Sequence, residues 1–134
     1  MKGYNEHMTG YIGNVEERSL KNTNFREVLF TGQHEQLVVM SLLPNEDIGE
    51  EIHEIVDQFI RVESGEGKIV MNGEEHTVSD GFSIIVPAGT KHNLINTSNK
   101  NPLKLYTVYA PPHHRDKTIH KTKTEAESDV NDHV

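Results

Sequence analysis

Residues 81–96 read GFSIIVPAGTKHNLIN, with Gly81, Pro87, Gly89, His92 and Asn96 spaced as Gly-x5-Pro-x-Gly-x2-His-x3-Asn. Gly81 and Gly89 suit turn positions with positive φ, and Pro87 presets φ for a turn between two strands. The apolar run before Pro87 predicts a strand. The residues after Thr90 predict another, in which His92, Leu94 and Asn96 share one face. A histidine that opens a strand directly after a tight turn is held rigidly at one end of the sheet, which suits a ligand.

The same rhythm of short strand and turn runs outward from this stretch. FREVLF begins at Phe25, and QLVVMSLL begins at Gln36 and ends before Pro44. Residues 52–63 form a further β-rich run, closed by SGEG. KIVMNGEEHTV carries Asn72-Gly73, the preferred dipeptide of a type I′ hairpin. LKLYTVYA begins at Leu103; its alternation leaves open whether Lys104, Tyr106 and Val108 or Leu105, Thr107 and Tyr109 point inward. Many short strands at regular spacing predict an all-β antiparallel sandwich or barrel. One domain is expected from 134 residues. A polar N-terminal arm spans residues 1–24, the barrel residues 25–110, and a polar tail residues 111–134. Helix is expected only in the tail, where Thr122-x-x-Glu125 would cap a short helix at about Lys123–Ser128; a frayed tail is the alternative.

Composition narrows the chemistry. With no cysteine, thiolate metal sites, disulfides and thiol nucleophiles are excluded. Lys and Arg total 13 against 21 Asp and Glu, a net charge of -8, which argues against a nucleic-acid partner. The N-terminus MKGYNEHMTG has no apolar core of a signal peptide, and no segment is apolar enough to span a membrane, so a cytoplasmic location is expected. No Ser-His-Asp arrangement, P-loop or dinucleotide-binding glycine fingerprint is visible.

The spacing of Gly81, Pro87, Gly89, His92 and Asn96 resembles the second signature motif of the cupin superfamily without a gap. The resemblance covers about residues 46–110. It implies an antiparallel jelly-roll (double-stranded β-helix) barrel, often with a divalent metal inside. The family's first motif is Gly-x5-His-x-His-x3/4-Glu-x6-Gly. Counting back from Gly65 places Gln58 at the usual glutamate, His53 at the second histidine and Glu51 at the first; Gly49 lies too close to serve as the leading glycine. The implied metal set is therefore Glu51, His53, Gln58 and His92. Two imidazoles and one carboxylate form the 2-His-1-carboxylate type associated with non-haem Fe(II), and an amide oxygen is a weaker neutral ligand. Fe, Mn, Ni, Co and Zn are all compatible. Asp57 is a rival ligand, but strand alternation turns it away from the face of Gln58. The plainer alternative makes Glu51 and His53 a polar rim and His92 a turn histidine.

His113, His114 and His120 have no structural-zinc spacing and follow Pro-Pro, so a solvated tail is expected; the alternative is a loop folded over the barrel mouth. The resemblance implies a small oxygenated ligand or substrate and either dioxygenase or isomerase chemistry, with no catalytic residue assigned. A non-catalytic small-ligand-binding or sensing module is the other class. Single-domain cupins commonly pair, so a homodimer through edge strands and the N-terminal arm is expected, with no nucleic-acid or membrane partner.

Overall fold

Asn72 and Gly73 both take positive φ, 49° and 85°, the backbone that a type I′ turn demands. They join β5 (Glu66–Met71) to β6 (Glu74–Ser79) in register, from Glu66 opposite Ser79 to Met71 opposite Glu74. The computed structural model describes residues 9–132. Within them the chain runs α1 (Val15–Lys21), β1 (Arg26–Thr31), β2 (Gln36–Leu42), β3 (Glu51–Ile52) and β4 (Asp57–Ser64), then the hairpin. β7 (Ser83–Val86), β8 (Lys91–Asn96), β9 (Leu103–Ala110), β10 (Ile119–His120) and α2 (Lys123–Ser128) follow. The strands form two antiparallel sheets, ordered β10-β1-β2-β9-β4-β7 and β3-β8-β5-β6. This is the expected jelly roll.

Between the sheets lies a core in which Val38, Met40, Leu42, Val62, Leu103 and Leu105 are fully buried. Each such side chain contributes about 1.5–3 kcal/mol over its exposed state. Alternation along β4 buries Gln58, Ile60 and Val62, and along β9 it buries Leu103, Leu105, Thr107 and Tyr109. The inward face of β9 is thereby settled. Asp57 points the other way and accepts a hydrogen bond from the Ala88 N–H at 2.8 Å. Gly65, with φ 110°, is irreplaceable: a Cβ there would stand 2.7 Å from the Pro102 carbonyl oxygen. Asn96 is fully buried and structural, its amide donating to the carbonyls of Leu42, Leu43 and Asn101 and its Oδ1 accepting from the Ser98 N–H.

Two expectations about the ends of the chain need correction. Helix is not confined to the tail, because α1 lies in the N-terminal segment and packs on β2, β4 and β9. Asn14 caps it by accepting from the Glu17 N–H at 3.0 Å, and Glu16 and Glu17 sit in its first turn. The segment lacks an apolar helical period, so only the cap betrays it. Residues 1–8 of the predicted arm, with any pairing role they have, lie outside the described residues. Nor are His114 and His120 solvated: both are buried, and β10 adds to the β1 edge, although most other tail residues are exposed. The predicted helix α2 does form, its N-cap Thr122 accepting from the Glu125 N–H at 3.1 Å. Among the described residues no helix is long and apolar enough to cross a membrane.

Candidate metal centre

A two-residue strand and a tight turn bring the predicted ligands together. β3 pairs with the start of β8, so Glu51 stands opposite His92. His53 follows directly, and its carbonyl accepts from the Gly89 N–H at 2.8 Å, tying it to the Pro87–Gly89 turn. Gln58 faces the same interior from the other sheet, opposite Val86 and Tyr109. Ligand atoms of Glu51, His53 and His92 lie within 4.8 Å of one another. Glu51 Oε1 is 3.3 Å from His53 Nε2 and 4.0 Å from His92 Nε2. Metal–ligand distances of about 2.0–2.2 Å allow two donors on one ion to be up to about 4.4 Å apart, so both separations fit a shared ion.

The hydrogen bonds around the cluster present lone pairs inward. His92 Nδ1 donates to the Thr90 carbonyl at 2.9 Å, which leaves Nε2 as the basic nitrogen. The Gln58 amide donates through Nε2 to Thr107 Oγ1 at 3.0 Å, which leaves Oε1 free. Glu51 Oε2, His53 Nε2, Gln58 Oε1 and His92 Nε2 are all buried without a hydrogen-bond partner. One such atom costs about 1–3 kcal/mol. Four at the predicted ligands form a donor set of two imidazoles, a carboxylate and an amide oxygen that fits a divalent ion.

A fifth residue at this site is absent from the predicted set. After β9 the chain turns back across the barrel end, where Gln36 Oε1 accepts from the N–H groups of His113 (3.1 Å) and His114 (2.9 Å). Gln36 Nε2 donates to the His114 carbonyl at 2.8 Å. This clamp lays the His113 ring against His53, centroids 4.2 Å apart, and stacks it on Tyr109 at 5.5 Å. Burial, then the neighbouring His114 and His53, push the His113 pKa down to about 4, so the ring is neutral at neutral pH. Burial also raises the Tyr109 pKa well above the usual phenol value. Pro111-Pro112 signals a stiff turn, but the clamping glutamine lies 77 residues away from His113 and no local pattern reveals it.

Beyond this loop a second histidine-acid cluster fastens the tail. His114 Nδ1 donates to Asp132 Oδ2 and His120 Nε2 to Asp129 Oδ2, each at 2.9 Å. The buried Arg26 guanidinium lies 3.4 Å from His120 Nδ1. Burial alone would raise the Asp132 pKa. Its hydrogen bonds from His114 and the Arg115 N–H, with the charge of Arg26, outweigh that and hold it at about 2. Elsewhere, an apolar cleft of about 330 Å³ opens between β6 and β7, lined by Ile69, Met71, Val78 and Ile84 among others. Met71 is the cross-strand partner of His92.

Residues 38–109 match the family profile described as Cupin domain. YrkC of Bacillus subtilis (strain 168), itself uncharacterized, is 48% identical over 122 residues, covering 87% of this chain and 65% of that protein. An uncharacterized protein of Acanthamoeba polyphaga mimivirus is 48% identical over 108 residues, covering 78% of this chain and 67% of that protein. The chain thus spans 65% and 67% of the lengths of these relatives. The crystal structure of BH2720 from Bacillus halodurans superposes with a TM-score of 0.89 at 42% identity, covering 93% of this chain and 98% of that one.

Proposed function

This chain belongs to the cupin superfamily, and from that premise we propose that it is a divalent-metal cupin that takes a small oxygenated molecule in its barrel. The observation that carries the reading is the convergence of unpartnered, buried donor atoms on Glu51, His53, Gln58 and His92. Those four residues hold the ion, and its identity falls among Fe, Mn, Ni, Co and Zn. The bound ion supplies Lewis acidity, or with iron the activation of oxygen. The chain's own residues do the rest. Thr90 and Thr107 orient His92 and Gln58. Met71 leads from His92 toward the apolar cleft, which suits the body of a ligand whose oxygens chelate the ion. Dioxygenase or isomerase chemistry is the reaction class.

One observation favours a second reading, a non-catalytic binding or sensing module. With Glu51 engaged as a ligand and an amide at Gln58, neither position offers a free carboxylate to move a proton. Elemental analysis of untagged protein purified without chelator tests the metal, with about one divalent ion per chain expected. Anaerobically iron-loaded protein offered 1,2-diketones, enediols and catechols then separates the classes. Oxygen consumption supports the enzyme. Saturable ligand binding without turnover across the metals supports the module.

The homodimer belongs to the same proposal. Ile85 is 66% exposed on the edge strand β7, beside Phe59 on the outer sheet face, and such an edge gains from cover. Sedimentation at micromolar concentration showing only monomer removes it.

A further inference from the structure

Building on the metal reading above, we propose that His113 is a ligand-contacting residue of this site, its Nε2 hydrogen-bonding an oxygen of the small molecule held at the Glu51–His53–His92 cluster. Four observations carry it. The ring lies 4.2 Å from that of His53, centroid to centroid, at the wall of the cluster. Nε2 is buried and has no partner, a cost of about 1–3 kcal/mol that a bound oxygen would remove. The backbone behind the ring is fixed by the Gln36 amide, which both donates to and accepts from the loop. The ring's position is therefore set before any ligand arrives. Finally, the grouping of ligand atoms within 4.8 Å joins Glu51, His53 and His92 without reaching His113. His113 thus stands outside the ion's own donor set, where a molecule on the ion would meet it.

Tyr109, stacked on the His113 ring, does not compete for this role. Its hydroxyl is engaged by Arg26. The geometry selects ligands that keep an oxygen free after chelation, such as a 1,2-dicarboxylate or a 2-oxo acid, over simple monodentate anions.

The test separates ion affinity from chelator affinity. Co(II) is titrated into metal-free wild type, His113→Ala and His113→Gln, followed by visible absorption. Each Co(II) form is then titrated with oxalate and with acetohydroxamate. We expect Co(II) affinity to change little in either variant, while His113→Ala weakens oxalate, which keeps uncoordinated oxygens, by about tenfold, the worth of one hydrogen bond in a buried site, and weakens acetohydroxamate, both of whose oxygens chelate, by less. His113→Gln, which keeps a polar tip, should recover part of that loss, and it also carries the test should the alanine variant fail to fold. Chelator affinity unchanged in the folded variants overturns the assignment and leaves His113 a packing residue. A drop in Co(II) affinity matching that of His92→Ala also overturns it, by making His113 an ion ligand. Failure of the wild type to take up Co(II) overturns the metal reading, and the assignment with it, before any variant is compared.

Discussion

Two histidine-acid clusters share one barrel end, each with its ligand-type atoms within 4.8 Å of one another: Glu51, His53 and His92 in one, His120, Asp129 and Asp132 in the other. They differ in what their polar atoms touch. In the tail cluster, His120 donates to Asp129, and Asp132 accepts from His114 and from the Arg115 N–H. Arg26 adds a buried positive charge that a second cation would have to face. In the barrel cluster Glu51 Oε2, His53 Nε2, Gln58 Oε1 and His92 Nε2 are buried and unpartnered, whereas beside the tail cluster the buried unpartnered atoms are His114 Nε2 and Arg26 Nε, outside the His120–Asp129–Asp132 group. Proximity of ligand-type residues does not make a metal centre. Unmet hydrogen-bonding capacity on several converging ligand atoms is what marks a candidate, since each unpaired buried atom is otherwise borne as a loss of about 1–3 kcal/mol. The tail cluster reads as a clasp, and the barrel cluster as a site.

The sharpest way to break this contrast is to remove one histidine from each. His53→Ala should weaken Co(II) or Zn(II) binding by more than about 100-fold, beyond the 10–100-fold that outer-shell changes typically cost. His120→Ala should leave the number of ions per chain unchanged. Calorimetry with matched metal-free samples decides. Equal losses in the two variants would make the clasp part of the metal site.

The next effect is on stability. Asp132→Ala removes two hydrogen bonds to a buried carboxylate, so chemical denaturation of the metal-free protein should show a loss of about 2–3 kcal/mol. The clasp also anchors the segment that carries His113, so chelator binding should weaken while ion affinity holds. A stability change under about 0.5 kcal/mol, the range of ordinary surface substitutions, would mean that the tail holds by other contacts.

A smaller change sharpens the barrel side. Gln58→Glu places a carboxylate where the first motif of the family has one. With the ion it should gain about tenfold in affinity, or about 1.4 kcal/mol. Without the ion the introduced carboxyl and that of Glu51 oppose one another in a buried place, and the folded state should weaken. Affinity and metal-free stability that move in the same direction would show that residue 58 does not face the ion.

How far the sequence could be read follows the same divide. The strands of residues 25–110 are legible because alternation, Asn72-Gly73 and the positive-φ glycines are local signals, and each sits where its backbone demands it. Assigning Glu51, His53 and Gln58 rests on the resemblance to the family's first motif, counted back from Gly65, whose contact with Pro102 tolerates no side chain; the structure adds that Glu51 stands opposite His92. What escaped depends on distant partners. His113 is aimed by Gln36, 77 residues earlier, and His114 and His120 are buried by Asp132, Asp129 and Arg26. A polar tail whose polar groups satisfy one another has the composition of a solvated tail. Only the pairing distinguishes them, and pairing is not periodic. α1 escaped for a related reason, its single buried residue being Ser19.

Acid sensitivity gives the gentlest probe, and its sign can be worked out. Burial, and for His113 its neighbours His114 and His53, hold both His113 and His114 below their ordinary 6.5, His113 at about 4. The unfolded chain therefore binds more protons than the folded one between those values, and stability falls as pH drops from 6.5 toward 4. Asp132 is depressed from 3.8 to about 2, so its contribution is complete above 3.8 and is lost as pH falls through 2. Metal-free protein should thus lose melting temperature in two stages, the first from the histidines that reach the site and the second from the clasp. Asp132→Asn should shrink the second stage, to which the lowered Asp47 and Asp129 carboxyls also contribute, and retain the first. A melting temperature that stays level from pH 6.5 to 4 would show that the two rings are not held neutral in the fold, and the barrel end would then be wetter than its buried nitrogens indicate.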